Sequence, residues 1–305
     1  MSNVAPDLVE IKEANPPAGT TLYFKIDLNI GPDKSGGAKP KSLTGVFVPK
    51  NFAAGSELKL LVFLHGHSSG NIAINDYWTT YHSPKYQIRQ TLNDSNQNFV
   101  LIAPTLSGES GAGDLVKQGE LEDYLDTVLA GLQKHAAAKF ATLPVLRSIV
   151  VAAHSGGGRP MLEIAEKIGT SEFDKTVKEF WGLDCLYDVD TPYDLYKDTP
   201  SGPFKPGHTD PKLNGNPTEV RWFKWAKTAQ TATLTMRHAT AEPTLRCQNL
   251  KRLAAGDKFK PDGWDKILKF DGGTAVSSVT IIESTDKDHE LMVKPQLLKQ
   301  LTGQP

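Results

Sequence analysis

Short apolar runs, each about the length of a strand, recur along the chain with helix-like segments between them. They stand at residues 58–64 (LKLLVFL), 99–103 (FVLIA), 148–153 (SIVVAA), 180–186 (FWGLDCL), 232–236 (ATLTM) and 279–283 (VTIIE). Continuous rather than alternating apolar character is typical of strands that helices cover on both faces. The pattern therefore predicts a largely parallel sheet, which restricts the chain to the α/β class.

Helical patterns fill the intervals between these runs. Residues 120–139 place apolar side chains at helical spacing among good helix formers. Residues 160–168 begin with a proline, which the first helical turn tolerates. Further candidate helices lie at residues 220–229, 244–255 and 290–301. Strands and helices in alternation predict a doubly wound sheet.

The first 50 residues follow a different pattern. Residues 22–30 (LYFKIDLNI) alternate apolar and polar side chains, and residues 43–48 (LTGVFV) return after a turn region rich in Gly, Pro and Lys. These two segments predict an antiparallel N-terminal hairpin. Residues 1–20 are polar and carry a Pro-Pro pair, which favours an extended lead-in. Residues 21–305 are then expected to form one α/β domain.

Residues 188–217 interrupt the alternation of strand and helix. The stretch is rich in Asp, Pro, Gly, Lys and Tyr and has no periodicity. A loop of this length in a compact domain usually serves a function or is disordered. We interpret it as a cap or rim over a pocket, with a mobile surface insertion as the alternative.

Composition excludes several classes of partner. The formal net charge is −1 and no clustered basic run exists, so nucleic acid is not an expected partner. No apolar run approaches the roughly 20 residues of a membrane-spanning helix.

The N-terminus lacks a basic start and an apolar core, which favours a cytoplasmic protein, with export by another route as the alternative. The two cysteines, Cys185 and Cys247, are expected to be free thiols.

Residues 153–158 (AHSGGG) follow a buried strand and precede a helix. The segment resembles the nucleophile elbow G-x-S-x-G of the α/β-hydrolase family, with Ala153 in place of the first glycine. Such a turn requires small residues two positions before and after the nucleophile, here Ala153 and Gly157. The resemblance makes Ser155 the candidate nucleophile. The alternative is a serine that merely ends a strand in a Gly-rich turn, since the phosphate-binding glycine motifs are absent.

The resemblance extends to a His-Gly turn after the run at residues 58–64. In the family this turn supplies one oxyanion-hole N–H, and the residue after the nucleophile supplies the other. Carried over, these donors are the backbone N–H groups of His67 and Gly156. A competing interpretation is a metal site, because His65 and His67 have a zinc-ligand spacing, but no further strong ligand follows.

His289 follows the last predicted strand, where the family places its catalytic histidine. We predict that His289 is the general base, the alternative being an exposed loop histidine. The acid is less clearly marked. Asp184 stands inside the apolar run at residues 180–186, and a carboxylate there needs a partner such as His289. Glu242 is the alternative acid and Asp188 a third candidate.

These residues predict a serine hydrolase that cleaves a carboxylic ester through an acyl-enzyme intermediate. The expected substrate is a small-molecule ester or amide, and no cofactor is implied. Two other interpretations stay open at this point. The same residues suit an amide or peptide hydrolase, and a fold with a degenerate triad suits a non-catalytic binding protein.

Overall fold

Nine strands form one sheet in the part of the chain that the structure, a computed structural model, describes. The described residues are 4–32, 39–53, 55, 57–68, 72–78, 86–187, 218–229, 231–256 and 276–304, without the side chains of residues 241, 242 and 245. The predicted cap or rim loop at residues 188–217 lies outside them. The strands are β1 (Asp7–Leu8), β2 (Gly19–Lys25), β3 (Leu43–Pro49), β4 (Glu57–Leu64), β5 (Phe99–Pro104), β6 (Val145–His154), β7 (Val177–Leu183), β8 (Thr233–His238) and β9 (Val279–Glu283).

The sheet has the order β1-β2-β3-β5-β4-β6-β7-β8-β9. Strands β4 to β9 pair in parallel, whereas β1, β2 and β3 pair antiparallel and β3 lies antiparallel to β5. Strands β2 and β3 run from Gly19 opposite Pro49 to Lys25 opposite Leu43. The predicted fold class is confirmed: the chain has a mostly parallel, doubly wound sheet with antiparallel N-terminal strands.

Helices cover both faces of this sheet. Those with side chains in one core layer are α3, α4, α5, α6 and α7, and those in the other are α1, α2 and α8. Within the described ranges, no helix is long and apolar enough to cross a membrane. The helices are α1 (Ile74–Asp76), α2 (Ile88–Ser95), α3 (Glu120–His135), α4 (Ala137–Phe140), α5 (Gly158–Ala165), α6 (Thr218–Thr228), α7 (Ala241–Ala254) and α8 (Val293–Thr302).

Strand β4 shows why the apolar runs are continuous. Leu60 and Val62 point into one core layer, and Leu61 and Phe63 point into the other. All four are fully buried. Full burial of such a side chain stabilises the fold by roughly 1.5–3 kcal/mol, so apolar residues are favoured on both faces of the strand. A strand with one wet face would alternate instead.

Two strands end earlier than their sequence patterns predict. The pattern at residues 22–30 continues past β2, because Ile26, Leu28 and Ile30 stay buried in the core after the chain has left the sheet. The run at residues 180–186 ends as a strand at Leu183, since the next residue, Asp184, has a left-handed φ of +45°. Asp184 is therefore not inside a strand, as predicted, but is the first residue beyond it.

The direction of strand addition reverses at β4. The chain passes from β4 to its neighbour β5 on one side and then returns to β6 on the other. In open α/β sheets, this reversal opens a crevice outside the carboxyl ends of the flanking strands, where ligands bind. The segments that follow β4 and β6 therefore meet at a location suited to a site.

Candidate active site

Every predicted site residue whose side chain is described lies just beyond the carboxyl end of a parallel strand. His67 follows β4, Ser155 follows β6, Asp184 follows β7 and His289 follows β9. Because β4, β6, β7, β8 and β9 are consecutive neighbours in the sheet, their ends form one edge. The sheet thus brings together residues that are more than 200 positions apart in the chain.

Ser155 occupies a tight turn between β6 and α5. Its φ is +51°, in the left-handed region that costs an ordinary L-residue about 1–2 kcal/mol. A short 3₁₀ turn at Ser155–Gly157 then leads directly into the helix. A Cβ on Gly157 would overlap the carbonyl oxygen of Leu64 and lie 2.8 Å from that of His65. The turn therefore needs a glycine at this position, because the end of β4 packs against it.

The His-Gly turn after β4 packs directly on Ser155. A Cβ on Gly66 would lie 2.7 Å from the Cβ of Ser155 and 3.3 Å from its Oγ. A Cβ on Gly156 would in turn lie 2.6 Å from Nε2 of His67 and 2.7 Å from Oγ of Ser110. The backbone segments that carry the two predicted oxyanion donors, His67 and Gly156, are thus neighbours around the predicted nucleophile.

His65 holds the shape of this turn. The ring is fully buried, and its Nε2 accepts the Leu106 N–H at 2.9 Å while Nδ1 donates to the Gly66 carbonyl at 2.8 Å. Both ring nitrogens are therefore engaged by backbone groups, which leaves neither as a metal ligand. Among the described residues, no group of three or more His, Cys, Asp or Glu side chains is arranged to hold a metal ion.

Asp184 and His289 form a close hydrogen-bonded pair. Nδ1 of His289 lies 2.6 Å from Oδ2 of Asp184, and the carboxylate is fully buried. Oδ1 accepts the backbone N–H groups of Ala239 at 2.7 Å and Thr240 at 3.1 Å, and Oδ2 also accepts the Thr240 hydroxyl at 2.7 Å. A carboxylate has about four acceptor sites, so these four donors satisfy Asp184 completely.

These donors keep Asp184 ionised. Burial by itself raises the pKa of the carboxyl, but the hydrogen bonds from His289, Ala239 and Thr240 outweigh burial and hold the pKa below its ordinary value. An ionised carboxylate only accepts hydrogen bonds, so Nδ1 of His289 carries the proton between the two residues. The other ring nitrogen of His289, Nε2, is then left without a proton when the imidazole is neutral.

Tyr187 and Thr240 extend this arrangement. The Tyr187 hydroxyl lies 3.1 Å from the Thr240 hydroxyl and 3.3 Å from Nδ1 of His289. Since Thr240 donates its own proton to Asp184, it accepts from Tyr187. A chain of hydrogen bonds therefore runs from Tyr187 through Thr240 to Asp184. The His289 side chain at the end of this network is 29% exposed, so one part of the ring is open to the crevice.

The side chain of Glu242 lies outside the described residues, as does Asp188 entirely. His238 ends β8 and is buried, with Nδ1 2.9 Å from the Thr244 hydroxyl. Burial lowers the pKa of His238, which outweighs the opposite effect of Glu283 nearby. Asp184 is thus the candidate acid that the described structure pairs with His289.

The sequence interpretation did not identify three polar residues that lie near His289. They are His154, Tyr187 and Thr240. Each lies at or within four residues beyond the carboxyl end of a strand. That position is the signal that would have selected them, because the site lies along this edge. The two cysteines behave as expected, since Cys185 and Cys247 are buried and free.

Comparisons with known proteins find similar solved structures at low sequence identity. No protein-family model and no curated protein sequence matches it. A feruloyl esterase module from Clostridium thermocellum complexed with sinapinate is 11% identical, with a TM-score of 0.47 over 99% of this chain and 94% of that one. An S-formylglutathione hydrolase from Agrobacterium tumefaciens is 11% identical, with a TM-score of 0.43 over 96% and 98%.

A poly(3-hydroxybutyrate) depolymerase from Bordetella parapertussis is likewise 11% identical, with a TM-score of 0.44 over 94% of this chain and 90% of that one. The chain has a mostly parallel, doubly wound sheet with antiparallel N-terminal strands, which is consistent with the α/β-hydrolase type that residues 153–158 resemble.

Proposed function

We propose that this protein is a serine hydrolase that cleaves a carboxylic ester through an acyl-enzyme intermediate. In this proposal Ser155 is the nucleophile, His289 is the general base and Asp184 is the acid that orients it. The observation that carries the proposal is the 2.6 Å hydrogen bond between His289 and Asp184, at the same sheet edge as Ser155.

The surroundings of Asp184 support an orienting role. A buried carboxylate is costly unless its acceptor sites are filled, and here the imidazole supplies one of four donors. The proton held at Nδ1 leaves Nε2 of His289 free to take the Ser155 proton as Oγ attacks the carbonyl carbon. Asp184 then stabilises the imidazolium that forms, without taking up its proton.

The turn geometry supports the electrostatic part of the mechanism. Attack produces a tetrahedral intermediate whose oxygen is negative, and we propose that the N–H groups of His67 and Gly156 donate to it. One such donor typically contributes about 100-fold to 1000-fold in kcat. His289 then protonates the leaving alcohol, and the acyl group stays on Ser155 Oγ. Water attacks the acyl-enzyme with His289 again as base, which releases the acid and restores Ser155.

Ester hydrolysis is the proposed reaction because, without a proton, an alkoxide leaves far more readily than the anion of an amine. The same three groups can cleave an amide, but amide cleavage depends more strongly on proton delivery to the leaving nitrogen. Parallel assays with a short-chain p-nitrophenyl ester and the matching p-nitroanilide decide between them. We expect turnover of the ester to exceed that of the anilide by orders of magnitude.

Labelling with a fluorophosphonate probe tests the whole proposal, because such probes modify activated serines and spare ordinary ones. We expect mass spectrometry to find the label on Ser155 in the wild-type protein. Labelling should be lost in His289→Ala, which removes the base. His135→Ala is the matched control, since His135 lies in α3 and bonds the Pro6 carbonyl far from the site. A folded wild-type protein that neither labels nor turns over ester would refute the proposal.

A further inference from the structure

His154 is the residue immediately before Ser155, and it ends strand β6. Its side chain follows the two-residue periodicity of the strand and points to the same face as Val150 and Ala152. That face carries the core layer that includes the first turns of α8. His289 precedes α8 by a few residues, so the direction of β6 aims the His154 ring at the segment that bears His289.

The His154 ring contacts His289 in two ways. Its Nε2 lies 3.0 Å from the backbone carbonyl oxygen of His289, and a carbonyl only accepts, so Nε2 carries the proton of this bond. The two imidazole rings also pack against each other, with centroids 4.5 Å apart and planes inclined at 35°. His154 itself is 1% exposed, and Tyr86 packs edge-on against it at 4.9 Å. The donor is therefore held in a rigid, dry position.

These contacts complement the bond to Asp184. Asp184 holds the imidazole of His289 through Nδ1, whereas His154 holds the main chain of the same residue through its carbonyl. Fixing both ends of a side chain restricts rotation about its χ angles more than fixing one end does. Displacement of a reacting group by about 1 Å can cost roughly 100-fold in rate, so such restraint bears directly on catalysis.

We propose that His154 is a positioning residue for the general base: it holds the His289 backbone and ring face so that the imidazole stays on Asp184 while facing Ser155. This inference rests on the proposed function, since it assigns a role toward its base. It also assigns related roles to two neighbouring residues. Ser155 presents the nucleophilic oxygen, and His154 fixes the histidine that activates it.

A pair of variants separates the hydrogen bond from the packing. His154→Phe keeps a ring of similar shape but has no donor, whereas His154→Gln keeps a donor at about the reach of Nε2. We expect His154→Phe to lower kcat about 30-fold to 100-fold with KM nearly unchanged, and to slow fluorophosphonate modification of Ser155 by a similar factor. His154→Gln should recover most of both losses. His135→Phe is the control, because it removes a comparable imidazole–carbonyl bond elsewhere in the fold.

A spectroscopic measurement reports on the position of His289 without turnover. The proton that Nδ1 shares with Asp184 should give a strongly downfield proton NMR signal in the wild type, absent in Asp184→Asn. We expect His154→Phe to broaden or shift this signal and His154→Gln to preserve it. The signal is read on the native fraction alone, so a loss of stability in His154→Phe leaves the comparison valid.

Three results would overturn the inference. The first is a His154→Phe variant whose kcat stays within about twofold of the wild type. The second is an equal loss in His154→Phe and His154→Gln, which would make the residue merely structural. The third is an unchanged downfield signal in His154→Phe. Each presumes a wild type that labels at Ser155 and hydrolyses ester, and a wild type that does neither refutes the proposed function instead.

Discussion

Nδ1 of His289 and Oδ2 of Asp184 lie 2.6 Å apart although 105 residues separate them in the chain. The two residues follow β9 and β7, and β8 lies between those strands in the sheet. The end of β8 contributes as well, because Ala239 and Thr240 donate three hydrogen bonds to the same carboxylate. The pair is thus assembled from the carboxyl ends of three adjacent strands.

The choice of acid can be tested by substitution. Asp184→Asn should lower kcat by about 10⁴-fold, as the loss of an orienting carboxylate does in known serine hydrolases. The reason is that an amide offers its N–H as readily as its oxygen to Nδ1, so the imidazole no longer has a fixed tautomer. Glu242→Gln is the comparison variant and should retain wild-type kcat. Equal losses in both variants, or no loss in Asp184→Asn, would contradict the assignment of Asp184.

The lowered pKa of Asp184 predicts how stability depends on pH. A carboxyl whose pKa is lower in the folded than in the unfolded state stabilises the fold above its ordinary range of about 4. That contribution is lost as the pH falls below this range toward the folded-state pKa. We expect Asp184→Asn to be about 2 kcal/mol less stable than the wild type at pH 7, because the NH2 that replaces one carboxylate oxygen cannot accept from the buried donors.

Urea unfolding at several pH values measures this dependence. The difference in unfolding free energy between the wild type and Asp184→Asn should shrink as the pH falls below about 4. Glu13 and Asp114 also have lowered pKa values, but they are present in both proteins and cancel in the difference. A difference that grows at low pH would mean that the carboxyl is not ionised in the folded protein.

The left-handed backbone of Ser155 predicts that the stability of the fold depends on how readily residue 155 adopts a positive φ. Ser155→Ala and Ser155→Gly should both abolish turnover, because each removes Oγ. Glycine adopts a φ of +51° without steric cost, whereas alanine does not. We expect Ser155→Gly to be more stable than Ser155→Ala by about 1 kcal/mol, measured by thermal unfolding. Equal stability of the two variants would show that the turn carries no strain at this residue.

Gly157 should be difficult to replace, because it packs against the end of β4. A Cβ there meets the backbone carbonyl oxygens of Leu64 and His65, which cannot move without shifting β4. We expect Gly157→Ala to destabilise the fold by about 2 kcal/mol or more and to lower activity with it. Gly55→Ala is a suitable control, because a Cβ at Gly55 has nothing within 4 Å. Circular dichroism melts of both variants provide the measurement, and a wild-type melting temperature for Gly157→Ala would contradict the packing argument.

The amino-acid sequence by itself determined the class of fold and the position of the tight turn at Ser155. Strands covered on both faces are apolar throughout. The runs at residues 58–64 and 148–153 therefore predict a parallel sheet even when no contact between strands is known. Small residues around Ser155 similarly mark a tight turn, because the steric requirement is local. The apolar runs depend on burial alone, and the small residues around Ser155 depend on contacts between residues close in sequence.

Only the tertiary structure showed which of the described carboxylates bonds to His289 and what surrounds the pair. The lateral order of β7, β8 and β9 brings Asp184, Thr240 and His289 together, and that order is a property of strand pairing between distant segments. The early end of β7 had the same origin, since the left-handed turn at Asp184 is stabilised by its N–H bond to the Arg237 carbonyl on β8. Such partners cannot be predicted from the local sequence, because each hydrogen bond joins groups that become neighbours only when the sheet has formed.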